Sequence, residues 1–246
     1  MLLMQETKCR DDQFPFEAFT DAGYDLAHYG LNQWNGVGIA SRLPLSDSEQ
    51  GFAGMPGFAK DPAADQRAEA RAISATVEGV RLCSVYVPNG RSLDDPHMTY
   101  KVSWLKALGA AYGNYGEREG SLPFVIGGDF NVAPSPLDIG IGEINRKRWL
   151  KSGKCSFQLE EREWLKTLMD WGFIDTFRQL HPVRTERYSW FDYRSRGFDD
   201  NRGLRIDVVL ATKTLSEQCV ESDIDYELRG IEKPSDHAPI WSTFSD

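Results

Sequence analysis

Asp129 and Asn131 stand two residues apart in Gly127-Gly128-Asp129-Phe130-Asn131, directly after the apolar run Pro123–Ile126. In an extended segment that spacing puts both side chains on one face. A carboxylate placed there can take a proton, and an amide N–H can stabilise a developing oxyanion. The same residue types also make an ordinary turn, and this motif alone does not separate the two readings. Glu6 follows the apolar Leu2-Leu3-Met4. A carboxylate at a strand end suits Mg²⁺, which wants oxygen ligands and usually takes one or two from protein; a lone Glu equally suits a solvated surface. Asp236-His237 precedes the apolar run Ala238–Phe244. An imidazole titrates near neutrality, so His237 can bond a phosphate oxygen or shuttle a proton. The other histidines, His28, His97 and His181, have no comparable context.

Asp207 lies inside the apolar run Leu204–Ala211, where a carboxylate is costly unless paired. Its partner is either His237, which it would orient and keep protonated, or Arg205 in a structural ion pair. Tyr86, Asn89 and Arg91 belong to VYVPNGR. They are candidate hydrogen-bond donors to phosphate, and the Pro-Asn-Gly core also fits a simple turn.

These groups need rigid elements beneath them, because polar residues just past an apolar strand are held at the edge of a sheet. Leu2–Met4 reads as the end of a buried strand, and Gly36–Ser41 as another. Ala72–Val77 and Val80–Val87 flank Glu78-Gly79, a hairpin turn. Pro123–Gly127, Leu204–Ala211 and Ala238–Phe244 complete the set. Met98, Val102, Leu105 and Tyr112 recur at helical spacing over His97–Tyr112, and Leu165, Leu168 and Met169 do so over Glu160–Trp171, before Gly172. Leu43–Gln66, rich in Gly, Pro, Ala and Asp, reads as a long surface loop. Hairpins mixed with isolated helices point to two packed sheets flanked by helices.

No linker divides the chain, so residues 1–246 read as one domain. A net charge of -9 argues against a protein that coats DNA, yet allows a local basic surface around an acidic metal site. Two stretches suit nucleic acid. Asn145–Lys154 carries Arg146, Lys147, Arg148, Lys151 and Lys154, and Arg184–Arg205 alternates arginines with Trp190, Phe191, Tyr193 and Phe198. Cations neutralise phosphates and aromatics stack on bases, although a charge run by itself is more often a solvated face. No stretch approaches the roughly 20 apolar residues of a membrane helix, and Met1–Cys9 does not resemble a signal peptide. The cytoplasm is therefore the default compartment. The four cysteines are widely spaced without C-x-x-C and read as reduced thiols.

LLMQETK, VYVPNGR, GGDFN, YSWFDYRSRGF…NRGLRID and KPSDHAP stand in one order along the chain. In that order they resemble the exonuclease III branch of the endonuclease/exonuclease/phosphatase superfamily, from Leu2 to Phe244. The resemblance implies an α/β fold, a four-layer sandwich of two packed mixed sheets with helices outside. It implies Mg²⁺-dependent cleavage of DNA 5′ to abasic sites, with Mn²⁺ able to substitute. It also implies 3′→5′ exonuclease and 3′-phosphatase action on double-stranded ends. The sequence gives no oligomeric signal, and a monomer is the default.

Residue by residue, the resemblance makes Glu6 the main metal ligand, with Asp236, Asp129 and Asn131 contributing. Asp129 would activate the attacking water. Asn131 and His237 would stabilise the pentacovalent phosphate, with Asp207 orienting His237 and Tyr86 near the scissile phosphate. Trp190, Leu204 and Ile206 would wall a small apolar pocket for an extruded sugar lacking its base. The chain departs from the branch at its start. Family members open with a strand carrying an active-site asparagine, then a helix, roughly 30 residues on the scale of a βα unit; this chain begins at the next strand, so its N-terminus is expected to be incomplete. Two further readings are a superfamily phosphatase acting on a lipid or inositol phosphate, and an inactive fold that binds DNA without cutting it. The aromatic–arginine segment and the YRSRGF…LRID block favour DNA.

Overall fold

The apolar runs become neighbouring strands, and their register decides where the polar residues at their ends meet. The computed structural model describes residues 1–246 apart from 62, 116–119 and 246. β1 (Leu2–Gln5), β2 (Asp25–Tyr29) and β3 (Val37–Ser41) form an antiparallel sheet in the order β1-β3-β2. β4 (Ser46–Gln50), β5 (Ala72–Val77), β6 (Val80–Tyr86), β7 (Phe124–Asp129), β8 (Phe173–Asp175) and β9 (Asp207–Thr212) form a six-stranded sheet in the order β4-β5-β6-β7-β9-β8. Only β6 and β7 run parallel there, so the sheet is mixed. β10 (Cys219–Ile224) and β11 (Ile240–Phe244) pair antiparallel. The main helices are α1 (Phe16–Asp21), α2 (Pro96–Tyr112), α3 (Glu143–Lys151), α4 (Leu159–Asp170) and α5 (Thr176–Leu180).

Strand alternation sorts β7 between two cores. Phe124 and Ile126 pack under α2 and α4, against Trp104, Leu108, Leu165 and Leu168. Val125 belongs to the inter-sheet core with Val37, Ile39, Ile73, Leu82 and Ala211. Gly127 meets Leu3 of β1, and a Cβ there would lie 2.8 Å from Leu3 Cδ1. α1 packs on β2, and α5 on β9 and β10. The result is the expected four-layer sandwich. Its second sheet layer is in two antiparallel pieces: β1 packs over β6 and β7, and β11 over β9. Among the described residues, the second edges of β1 and β11 have no strand partner.

Several expectations change in detail. Leu2 is exposed rather than buried, because one edge of β1 is open. Leu43–Gln66 is not all loop: Ser46–Gln50 is an edge strand on β5, and its polar sequence gave no strand signal. Pro62 of that segment lies outside the described residues. β2 and β10, both carrying charged residues, were likewise not expected. The regular part of Leu204–Ala211 begins at Asp207; Leu204 instead makes isolated bridges to Ile139 and Trp190. The buried stripe of α2 is Met98, Lys101, Trp104, Leu105 and Leu108, with Val102 and Tyr112 only half-buried.

A buried charge network ties the segment before β9 to its neighbours. The fully buried Arg205 donates from Nε to Asp138 Oδ1 (2.7 Å) and from Nη2 to Asp175 Oδ2 (2.6 Å). Arg178 donates to the same Asp138 oxygen. Burial alone would raise the Asp138 pKa, but the two guanidiniums outweigh it and hold the carboxyl below its usual range. Asp138→Asn leaves Arg205 short of one anion, so urea unfolding at pH 7 should show a loss of about 3 kcal/mol. A depressed folded pKa means the contribution is present above the unfolded value and is lost as pH falls through the folded one. The variant should therefore lose less stability on acidification than the parent. Equal stability at pH 7 would show that the network is dispensable.

Candidate active site

Strand register alone assembles the floor of the site. Tyr86 of β6 is the parallel partner of Asp129, and Asp207 of β9 is its antiparallel partner. Three polar residues far apart in sequence thus share one rung at the end of three adjacent strands. Asp129 is the last residue of β7, not the first past it. The glycine before it is required by space and backbone alike: Gly128 has φ +140°, and a Cβ there would lie 2.2 Å from the Val85 carbonyl oxygen. Bare backbone fits where a side chain does not.

Glu6 and His237 enter from the second layer. Glu6 follows β1 at φ +52°. Its Oε1 accepts from the Tyr86 hydroxyl (2.5 Å), and its Oε2 pairs with Lys8 Nζ at 2.6 Å. Burial would raise the Glu6 pKa, but the Lys8 and Tyr86 contacts dominate and lower it. His237 precedes β11, and its Nδ1 lies 2.8 Å from Asp207 Oδ2. Asp207 is therefore the histidine's partner, because Arg205 is committed to Asp138 and Asp175. Ser189 Oγ accepts from the Ile206 and Asp207 backbone N–H groups at 3.0 Å each, fixing the start of β9.

Two buried carboxylates on one rung demand compensation. Burial, with Asp207 and Glu6 nearby, raises the Asp129 pKa, while His237 and the Asn131 N–H oppose the rise. Burial disfavours the charged imidazole, yet Asp207, then Asp129 and Asp236, push His237 up to about 10. An imidazolium between carboxylates is the stable arrangement near neutrality. Asp129 accepts from the Asn131 backbone N–H (2.7 Å) and Nδ2 (2.9 Å). Asn131, at φ +52°, also donates from Nδ2 to the Val87 carbonyl and accepts at Oδ1 from Asn89 Nδ2 (2.8 Å). Both amide hydrogens and the Oδ1 of Asn131 thus have protein partners.

Glu6, Tyr86, Asn89, Asp129, Asn131, Trp190, Leu204, Ile206, Asp236 and His237 all line one cleft of about 240 Å³. Asp236 Oδ2 accepts from Trp190 Nε1 (3.0 Å). Arg91 is not brought in: it does not line the cleft, and its exposed guanidinium lies 3.9 Å from Asp95. Nor are all the aromatics of Arg184–Arg205 available, since Phe191 is fully buried and Phe198 packs on it. Sequence reasoning missed Trp149, Cys155 and Ser156, which also line the cleft. It took Lys154 only as part of a charge run, whereas Lys154 lies over the Trp149 ring at 3.8 Å. Trp149 sits on α3, whose basic composition hid its helical period.

Among the described residues no three His, Cys, Asp or Glu side chains form a metal cage. Mg²⁺ does not need one, since it keeps several waters and takes one or two carboxylates. An anionic Glu6 already holding a cation, the Lys8 ammonium, with the Asp129 and Asp236 carboxylates in the same cleft, fits such an ion.

Residues 1–237 match the endonuclease/exonuclease/phosphatase family. The chain belongs to this family, in its exonuclease III branch. It is 42% identical over 247 residues to exodeoxyribonuclease III of Haemophilus influenzae, spanning 98% of this chain and 88% of that protein. Its fold is similar to the 3′ phosphatase NExo from Neisseria, solved with a product DNA hairpin (TM-score 0.86, 36% identity, 99% of this chain and 88% of that one). It is also similar to an AP endonuclease from Archaeoglobus fulgidus (TM-score 0.85, 33% identity, 100% and 88%). This family member is a nuclease-type hydrolase of the metal-dependent kind.

Asp207→Asn tests the electrostatics without reference to activity. Removing the main positive pull on His237 should drop its imidazole titration from about 10 toward the ordinary range near 6.5, read by nitrogen-detected NMR. An unmoved midpoint would mean that Asp207 does not govern the histidine.

Proposed function

We propose that this nuclease hydrolyses DNA phosphodiesters with Mg²⁺, incising 5′ to abasic sites and trimming 3′ ends of duplexes. The observation that carries the reading is the convergence of Glu6, Asp129, Asn131, Asp236 and His237 on one cleft, with Asp207 behind His237 and Trp190, Leu204 and Ile206 walling another side. The relatives' names supply the substrate class: a 3′ phosphatase with bound DNA and an AP endonuclease share the fold at above 30% identity.

Each group has a role its surroundings support. Glu6, with Asp236, would hold the metal, which would supply positive charge at the phosphate as charge develops there. Asp129 is a buried carboxylate with a raised pKa, suited to take a proton from the attacking water. His237, kept cationic by Asp207, donates to a non-bridging phosphate oxygen. The Asn131 amide holds Asp129 in place and, by giving up its bond to the Val87 carbonyl, turns an N–H to the same phosphate. Tyr86 stays a neutral phenol, because burial and Glu6 raise its pKa, so it donates rather than accepts. The Trp190–Leu204–Ile206 wall receives the extruded sugar.

A second hollow beside the cleft shares Trp149, Lys154 and Trp190 with it and adds Arg148. It offers the duplex a path of cations and aromatic edges and favours DNA over a small phosphorylated headgroup. Four free cysteines with no disulfide suit a reducing compartment, and the protein is read as a cytoplasmic monomer. No helix of the described residues is long and apolar enough to cross a membrane.

The deciding experiment is an incision assay on a duplex with one abasic site, with Mg²⁺, with Mn²⁺ and with EDTA, and phosphoinositides as the competing substrate. Cleavage 5′ to the lesion that EDTA abolishes supports the proposal; phosphate release from the lipid alone sinks it. Asp129→Asn should cut turnover by about 10²–10⁴ while duplex affinity is retained. A parallel fall in affinity would make Asp129 structural. Glu6→Gln should raise the Mg²⁺ concentration needed for half-maximal rate, and an unchanged metal requirement would remove Glu6 as a ligand.

A further inference from the structure

Behind the cleft lies an ion pair that no part of the chemistry above uses. Lys101 of α2 and Glu161 of α4 have fully buried side chains, with Lys101 Nζ 2.5 Å from Glu161 Oε1. Burying both charges is expensive, and an apolar pair of similar volume is often as stable or more so. Stability alone therefore gives no reason for the pair. Its remaining contacts supply one. Lys101 Nζ also donates to the Asn131 carbonyl (2.8 Å) and the Asn89 carbonyl (3.3 Å). Glu161 accepts from the Ser156 N–H (3.0 Å) and the Gln158 N–H (2.9 Å). Asn89, Asn131 and Ser156 all line the cleft, on three separate chain segments.

We infer that Lys101 is a positioning residue that, with Glu161, holds the amides of Asn89 and Asn131 and the Cys155–Ser156 wall in register for phosphate. An ammonium is suited to this, because its three donors radiate from one point. Here they reach two loop carbonyls and a carboxylate. The Asn131 carbonyl belongs to a residue in the left-handed region (φ +52°), a conformation that costs energy in a non-glycine residue and must be held by its surroundings. The two amides are joined by their own hydrogen bond, Asn89 Nδ2 to Asn131 Oδ1, so a shift in either carbonyl moves both.

The inference rests on the proposed role of the Asn131 amide, and the tests separate the two. Lys101→Met alone leaves Glu161 a buried unpaired anion and should lower Tm. Lys101→Met with Glu161→Gln removes both charges and keeps an acceptor for one of the Ser156 and Gln158 N–H groups, so Tm should return part of the way toward the parent value. Turnover of the abasic duplex should nevertheless stay down on the order of 100-fold with KM little changed, the scale of a small misplacement in a site. The side-chain amide NMR signals of Asn89 and Asn131 should move in the same protein. Recovery of turnover together with Tm, the amide signals unmoved, would reduce the pair to a structural role and overturn the inference.

A cycle with Asn131→Ala covers the case in which Tm does not recover. Measured where circular dichroism shows every variant folded, Lys101→Met should cost little further turnover on the Asn131→Ala background if it acts through that amide. A full additive loss would refute this. A parent protein that cuts no DNA would instead overturn the proposed function, and the amide signals would still judge the clamp.

Discussion

The site depends on one electrostatic constraint: Asp129 and Asp207 stand opposite each other on β7 and β9, both buried, at a place where two bare carboxylates would repel. The His237 imidazolium resolves the conflict. It pairs directly with Asp207 and lowers the pKa of Asp129 against the effect of burial. The same arrangement leaves the molecule with a fixed cation and a hard-to-ionise carboxyl side by side. Groups whose pKa values are pushed in opposite directions by shared surroundings are the usual basis for acid–base work.

Other features of the fold serve that rung. The Asp129 carboxylate is pinned by Asn131, Asn131 by Val87 and Asn89, and the start of β9 by Ser189. The Arg205–Asp138–Asp175 network anchors the residues just before Asp207, and with them the Leu204–Ile206 wall. Polar bonds at the end of a sheet face water, which competes for them; here each is backed by a second partner. That redundancy keeps reacting groups within the narrow tolerances a site requires.

The cations are distributed with equal economy. Many basic residues that composition offers to nucleic acid are already spent: Arg146 and Lys147 on Glu143, Arg196 on Asp199, Arg202 on Asp200, and Arg184 and Arg187 on Asp223. Arg148 and Lys154, beside the two tryptophans, have no carboxylate partner among the described ion pairs. A chain of net charge -9 can therefore still offer a polyanion a local strip of positive charge.

The sequence by itself determined the strands whose apolar alternation or continuity is strong, the Glu78-Gly79 hairpin, and the identity of the acid, amide and imidazole groups at strand ends, because a polar residue is legible wherever it interrupts an apolar run. It also contained one unread sign, Lys101 on the buried stripe of α2. It did not show β2, β4 or β10, whose polar residues mask the period of two, nor α3. Only the tertiary structure decided that Tyr86, Asp129 and Asp207 share a rung, that Asp207 serves His237 while Arg205 serves Asp138 and Asp175, and that Arg91 and Phe191 stand outside the cleft. Those choices depend on which strand lies beside which and in what register. Pairing between residues tens of positions apart is set by the packing of whole sheets, and no local pattern along the chain records it.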